Sequence, residues 1–215
     1  MKVFIATPIR DYVTAEYAQS LFYAGLDCKG RDIEIIPNII RNSCFIDLAR
    51  SVLVHQFLQT DCTHLFFIDS DIGYEPHAIA GLVQAGIPFA AGVYRKRQAE
   101  LLFNVQITEP QELKGPWLRV DRTATGFMCI ERHVLEEMTA RVHLCGVSSH
   151  GEVPMLFRTH KEGTFIGEDY CFCDDYNELH KQGVFDEPVW VYPDITINHA
   201  GYVGNLHESL SNGQT

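Results

Sequence analysis

Short continuous apolar runs alternate along the chain with stretches of helical spacing. Val3, Phe4, Ile5 and Ala6 form one such run, the mark of a strand buried on both faces, and Thr7 and Pro8 end it. From Thr14 the apolar positions Ala15, Ala18, Leu21, Phe22 and Leu26 keep helical spacing, with Gly30 just beyond them as a stop. Residues 33–36 predict a second strand, closed by Pro37. With Asn42 or Ser43 as N-cap, Ile46, Ala49, Leu53 and Phe57 predict a second amphipathic helix, and Leu65, Phe66, Phe67 and Ile68 a third strand. A further helix is expected to start at Glu75 and Pro76 and to be capped by Gly86, ahead of a strand over residues 89–94. Four strand-and-helix repeats in the first hundred residues predict an α/β fold with a parallel, doubly wound sheet.

The second half has a mixed order. Residues 102–107 and 117–120 read as strands, 132–138 as a short helix, and 168–181 as a longer helix ending at Gly183. Between them, residues 141–163 carry Gly146, Gly151, Pro154, Gly163 and three histidines with weak periodicity, which predicts a long loop. From Glu208 the sequence is polar and is expected to fray. No repeat, low-complexity tract or Gly/Pro-rich linker separates the halves, so one domain is expected.

Composition narrows the function classes. Hydrophobic residues make up 46% and charged residues 21% of the 215, which suits a globular protein with a sizeable core and excludes disorder, collagen and coiled coil. With 28 acidic against 17 basic residues, the net charge of −11 repels phosphate backbones, so non-specific nucleic-acid binding is excluded. A local basic patch or a bound metal can still hold a small anion. Seven scattered cysteines show no disulfide framework and predict reduced thiols in a cytoplasm. The apolar stretch between Lys2 and Arg10 reads as a first strand and not as a signal peptide, and no window reaches the ~18 apolar residues of a membrane span.

The strongest local signal is Asp69-Ser70-Asp71, which follows the buried third strand. In extended backbone, side chains two apart point the same way, so Asp69 and Asp71 can converge on one cation while Ser70 turns aside. Mg²⁺ and Mn²⁺ take one or two protein carboxylates and complete their shell from water and a diphosphate. The competing reading is an acidic turn closing a strand. In open α/β sheets ligands bind at the carboxyl ends of the strands, where Thr7, Pro8 and Arg10 would face Asp69 and Asp71 across a crevice. No Gly-x-Gly-x-x-Gly follows the first strand and no P-loop motif occurs, so a dinucleotide site and a P-loop both drop out.

Six segments in order resemble those of the GT-A-fold nucleotide-sugar glycosyltransferases, in particular their compact viral, phage and bacterial members. Phe4 to Pro8 looks like the first nucleotide-binding strand, Ile46-Asp47-Leu48-Ala49-Arg50 like the helix approaching the nucleotide, and Asp69-Ser70-Asp71 like the DxD metal motif. Ala124-Thr125-Gly126-Phe127-Met128 looks like the acceptor-side strand, Gly167-Glu168-Asp169-Tyr170 like the start of the helix with the catalytic carboxylate, and Ile197-Asn198-His199-Ala200-Gly201 like the segment whose histidine reaches the metal or diphosphate. The sequence departs from many relatives at Tyr94-Arg95-Lys96-Arg97, where they carry a proline, and residues 141–163 align with no family pattern.

The resemblance implies a single GT-A domain over residues 1–205, with a nucleotide-binding half at 1–97, an acceptor half at 98–205 and a polar tail at 206–215. It implies transfer of a sugar from a nucleotide diphosphate, with UDP as the expected carrier, to a hydroxyl of a glycan or other acceptor, without nucleic acid or a membrane span. Mn²⁺ or Mg²⁺ would be held by Asp69, Asp71 and His199. Thr7, Pro8, Arg10, Asp47, Arg50, Asp69 and Ser70 would line the donor, joined by Arg95 and Lys96 of the basic run, and Thr125, Gly126 and Glu168 would lie on the acceptor side. Asp169 would be the general base of an inverting reaction.

Each residue has a structural alternative. Glu168 and Asp169 in a first helical turn also suit the helix dipole, His199 also suits a satisfied structural position, and the run Arg95 to Arg97 also suits a solubilising turn. Asp174 and Asp175 read as a solvated helix face. Cys171 and Cys173, two apart on a helix, point apart and with His180 make a poor zinc site. Trp117 and Trp190 suit either packing or stacking on a sugar. The rival activities are an aspartate-dependent phosphohydrolase, in which Asp69 would be the nucleophile, and a catalytically silent nucleotide-sugar-binding module.

Overall fold

The computed structural model describes residues 1–41, 44–98, 100, 102–204 and 206–211. The first half contains β1 (Lys2–Ile9), α1 (Ala15–Lys29), β2 (Glu34–Arg41), α2 (Ile46–Leu58), β3 (His64–Ile68), β4 (Ile72–Tyr74), α3 (Ala78–Val83) and β5 (Phe89–Gly92). The second contains β6 (Val105–Ile107), β7 (Leu113–Lys114), β8 (Trp117–Thr123), β9 (Phe127–Glu131), α4 (Arg132–Thr139), β10 (Leu144–Val147) and β11 (Gly151–Pro154). It continues through β12 (His160–Lys161), β13 (Thr164–Phe165), α5 (Glu168–Lys181), β14 (Trp190–Tyr192), β15 (Ile197–His199), β16 (Tyr202–Gly204) and α6 (Leu206–Ser211).

The α/β class is as expected, with a sheet that is mixed. Its order is β2-β1-β3-β9-β5-β14-β8-β6, with β7 beside β8. β1 runs parallel to β2 and β3, but β9 lies antiparallel between β3 and β5, and β14 is parallel to β5 and antiparallel to β8. The purely parallel sheet predicted from the first hundred residues therefore gives way: a strand from the second half is inserted into it.

Burial follows the parity of β1 and β3. Phe4, Ala6, Leu65 and Phe67 face one core, built with Leu53, Val54 and Phe57 of α2 and Phe172 and Tyr176 of α5. Val3, Ile5, Phe66 and Ile68 face the other, built with Tyr17, Ala24 and Cys28 of α1 and Ile79 and Leu82 of α3. An unbroken apolar run is what a strand needs when both its faces are covered, each buried side chain contributing about 1.5–3 kcal/mol. Thr14 caps α1 by accepting from Tyr17 N.

Several boundaries differ from expectation. β2 runs on through Pro37, which sits opposite Ile5 in an edge strand, where a missing N–H costs no ladder bond on the open side. Asn42 and Ser43, named above as N-cap candidates, lie outside the described residues; Phe45, whose side chain cannot cap a helix, holds the cap position of α2. Glu75 and Pro76 form a turn ahead of α3, which ends before Gly86. The expected loop over 141–163 holds the antiparallel pairs β10 with β11 and β12 with β13. The reversals carry Gly151 at φ 74° and Gly163 at φ 79°, so these glycines mark turns. The expected strand over 102–107 is confined to β6. The segment expected to fray contains α6, where Leu206 is buried and Leu210, one turn later, packs against the same core. No helix among the described residues is long and apolar enough to cross a membrane.

Candidate active site

The turn after β3 is the centre of the site. Asp69 N donates to Gly126 O at 3.1 Å, which ties the turn to the start of β9, and Ile72 N donates to Asp69 O at 3.1 Å. The chain at Asp69-Ser70-Asp71 is thus bent into a turn and not extended, so the alternation of an extended strand does not set the directions of the two carboxylates. Asp69 accepts from Arg50 Nη2 at 3.0 Å, whereas Asp71 pairs with Arg97. The small sheet β16-β15-β4 brings in the C-terminal segment, with His199 opposite Ile72 and Ala200 N donating to Asp71 O at 3.1 Å. His199 Nε2 consequently lies 3.8 Å from Asp71 Oδ2.

Arg50, in α2, is the most enclosed charge among the described residues, its side chain 5% exposed. It also pairs with Glu168, in the first turn of α5. Burial works against the guanidinium charge, but Asp69 and Glu168 hold its pKa above the ordinary value. The chain enters α5 through Gly167 at φ 104°, a backbone shape that other residues rarely adopt. Asp169 follows, half-buried, its Oδ1 accepting from Tyr170 N at 2.8 Å. Burial, then the neighbouring Glu168 charge, pushes the Asp169 carboxyl up to about 6 against the pull of Arg50. The buried Tyr94 hydroxyl accepts from Gly126 N at 3.1 Å and is held well above its usual pKa, first by burial and then by Asp69.

At His199, Nδ1 lies 2.8 Å from the carbonyl oxygen of Arg95. A carbonyl can only accept, so Nδ1 carries the proton and Nε2 presents a lone pair toward Asp71 and Arg97. Burial lowers the ring's pKa. The ring meets Tyr94 edge-on with centroids 4.9 Å apart. The donor set suits a divalent cation held by two protein ligands: Asp71 Oδ2 and His199 Nε2 already face one cationic group, the Arg97 guanidinium, which donates to His199 Nε2 at 3.0 Å. Asp69 gives its Oδ1 to Arg50 instead. Among the described residues no three His, Cys, Asp or Glu side chains gather as a metal site, and that includes Cys171, Cys173 and His180.

The other expected residues divide. Thr7 is buried, with its hydroxyl 2.7 Å from that of Tyr17, and Pro8 lies in β1 opposite Ile40. Arg10 is exposed beside Asp11. Asp47, in the first turn of α2, accepts from Leu48 N at 2.8 Å, and the carbonyl of Ser70 accepts from Thr14 N at 2.9 Å. Arg95 stacks its guanidinium over the Tyr202 ring at 5.9 Å, and Lys96 is exposed. Thr125 is fully buried beside Gly126. Asp174 is not solvated as expected but is gripped by both ends of Arg122 at 2.7 and 2.8 Å, and Asp175 pairs with Arg158. Trp190 is buried and donates to Glu187, whereas Trp117 leans on Tyr192 beside a groove of about 370 Å³ lined by none of these carboxylates. Sequence reasoning missed Tyr94 and the individual part of Arg97. Only the basic run pointed to Arg97, and nothing local marked Tyr94.

No protein-family model matches the chain, and no curated protein matches it. Among solved structures it is similar to A197 from STIV, with a TM-score of 0.58 at 16% identity over 93% of this chain and 85% of that one. This likeness shows a shared fold. Weaker likenesses are to a glycosyltransferase involved in the glycosylation of the major capsid of PBCV-1 (TM-score 0.34, 12% identity, 64% of this chain and 63% of that one) and to the inositol-1-phosphate CTP transferase from T. maritima (0.41, 10%, 92% and 87%).

Proposed function

We propose that this protein is a transferase that moves a sugar from a nucleoside diphosphate to an acceptor hydroxyl. The observation that carries the reading is the state of Asp169. Its carboxyl, raised to about 6, is ionised at neutral pH yet basic enough to take a proton, and it stands within reach of the charges of Arg50 and Asp69. As the hydroxyl attacks the anomeric carbon, Asp169 accepts its proton on the face opposite the leaving diphosphate, which inverts the configuration. Arg50 holds Glu168 and Asp69 in place, and through Glu168 it fixes the first turn of α5 that carries Asp169.

Asp71 and His199 would hold Mn²⁺ or Mg²⁺ as one carboxylate oxygen and one neutral imidazole nitrogen. When bound, such a cation neutralises charge growing on the departing diphosphate. Asp47, at the start of α2, and Ser70, after β3, lie on the side we assign to a uridine donor, whereas Thr7 and Pro8 are buried within β1. Asp69 is engaged by Arg50, which favours this reading over a phosphohydrolase using Asp69 as its nucleophile.

The test is incubation with Mn²⁺ and a set of nucleotide sugars, followed by chromatography. Release of UDP and free sugar is expected, and transfer once an acceptor is supplied. Phosphate release from simple phosphoesters, or donor binding without turnover, would replace the proposal by a hydrolase or a silent binding module respectively.

A further inference from the structure

Arg97 lies beyond β5, half exposed, yet its guanidinium is turned inward to the site. Nε donates to His199 Nε2 at 3.0 Å, and a terminal nitrogen pairs with Asp71. It stands between two atoms only 3.8 Å apart. His199 is oriented for this contact, because the carbonyl of Arg95, two residues before Arg97, takes up the Nδ1 proton and leaves Nε2 as the acceptor. One short segment thus both aims the imidazole and fills the place it is aimed at. Asp71 is itself pinned from the other side by the backbone bond from Ala200 N to its carbonyl. The result is a carboxylate oxygen and an imidazole nitrogen directed at a single cationic centre.

A guanidinium and a divalent cation cannot occupy that centre together, since both need the same lone pairs and they repel each other. Half the Arg97 side chain is already in solvent, so leaving the pair costs it little desolvation or packing. A displaced guanidinium remains within its own length of the centre. There its planar fork matches the oxygens of a diphosphate bridging to the cation.

We propose that Arg97 is a built-in counter-ion of the Asp71 and His199 pair, displaced by the divalent cation and then bound to the diphosphate of the donor. This rests on the cation and donor reading given above. Cation and diphosphate then bind synergistically: the cation alone must compete with Arg97, whereas a diphosphate arriving with it gives the guanidinium a new partner. The expected consequence is that removal of Arg97 moves the two affinities in opposite directions.

Calorimetric titration of wild type and Arg97→Gln with Mn²⁺ alone, and with UDP at saturating Mn²⁺, tests this, with thermal melting to establish that the variant is folded and His199→Ala to mark loss of the cation site. Arg97→Gln is expected to bind Mn²⁺ about three- to tenfold more tightly and UDP about three- to tenfold more weakly than wild type. Equal Mn²⁺ affinity in the two proteins, with His199→Ala weakened, would overturn the displacement while leaving the cation site standing. Tighter Mn²⁺ with unchanged UDP affinity would overturn the diphosphate role. Absence of Mn²⁺ binding to every form, with or without UDP, would overturn both this proposal and the cation reading beneath it.

Discussion

Arg50 and Glu168 are 118 positions apart in sequence and meet as a direct ion pair, while the same guanidinium donates to Asp69 across 3.0 Å. One side chain of α2 therefore ties the turn after β3 to the first turn of α5. A single buried positive charge faces two carboxylates there, with Asp169 next in line. Glu168 adds to the burial that raises the Asp169 pKa, and Arg50 only partly offsets them.

Removing Arg50 should be costly because it strands both partners. Arg50→Ala is expected to lose about 3–5 kcal/mol of stability, the usual result of breaking one side of a buried ion pair. Arg50→Lys keeps the charge but not the two-pronged grip and should lose less. Urea unfolding at pH 7 measures both. A loss below about 1 kcal/mol for the alanine variant would mean that the tie contributes no more than a surface pair.

Asp169→Asn is expected to lower transfer by about 10²–10⁴-fold with little change in donor affinity, since the base acts on the acceptor hydroxyl. A residue serving only the helix dipole would instead cost about 0.3–1 kcal/mol of stability and leave turnover near normal. Steady-state kinetics and melting on the same preparation separate the two. Transfer within about threefold of wild type would falsify the base assignment.

The raised Asp169 carboxyl also predicts two pH effects. Transfer should rise with pH through about 6 as the base ionises. Stability should move the other way. The folded state holds this proton more tightly than the unfolded chain does, so the favourable contribution is complete below the ordinary aspartate range near pH 4. It is lost as pH rises through about 6, on the order of 1–3 kcal/mol in all. Chemical unfolding from pH 4 to 7.5 should show that slope in wild type and a flatter one in Asp169→Asn; identical slopes would remove Asp169 as the source.

Gly126→Ala should disturb the site through contact alone. A Cβ there would run into the Tyr94 hydroxyl and lie 2.8 Å from Asp69 Oδ2, in ground tighter than real side chains occupy. Relief requires Tyr94 or the Asp69 turn to shift, at about 1–3 kcal/mol. The expected outcome is a lower melting temperature together with weaker donor binding. Unchanged values of both would show that the turn yields freely.

Leu206→Ala tests whether α6 belongs to the core. Leu206 is 2% exposed, and truncating such a side chain costs about 2–5 kcal/mol. A denaturation midpoint equal to that of wild type would return this segment to the status of a frayed tail.

The legible parts of the fold were those written within a few residues. α1 was readable from its Thr14 cap and spaced apolar positions, α5 from Gly167 and its acidic first turn, and β3 from its unbroken run. The strands in residues 141–163 were hidden because two to four residues per strand are too few to show a period, and apart from Val153 and Pro154 their residues are at least partly exposed. β4 was overlooked for a related reason: three residues directly after a turn are too few to show a period. Of the site, the carboxylates at Asp69, Asp71 and Asp169 and the imidazole of His199 stood out by residue type and order. Their partners did not.

Side-chain period and capping chemistry act over one turn or one pleat, so residue order sufficed to locate α1, β3 and α5 and the acidic turn that follows the buried strand. The partner of each carboxylate depends instead on packing. β9 enters between β3 and β5 and fixes the bend at Asp69 through Gly126, α2 and α5 close on the same face of the sheet and bring Arg50 to Glu168, and β15 pairs with β4 and sets His199 beside Asp71. These contacts join segments as far apart in the chain as Asp71 and His199, where no local pattern carries the distance or direction between two charges. Asp69 and Asp71, two positions apart in the chain, meet different arginines in a turn that Gly126 and Ala200 hold by backbone bonds from elsewhere in the sequence.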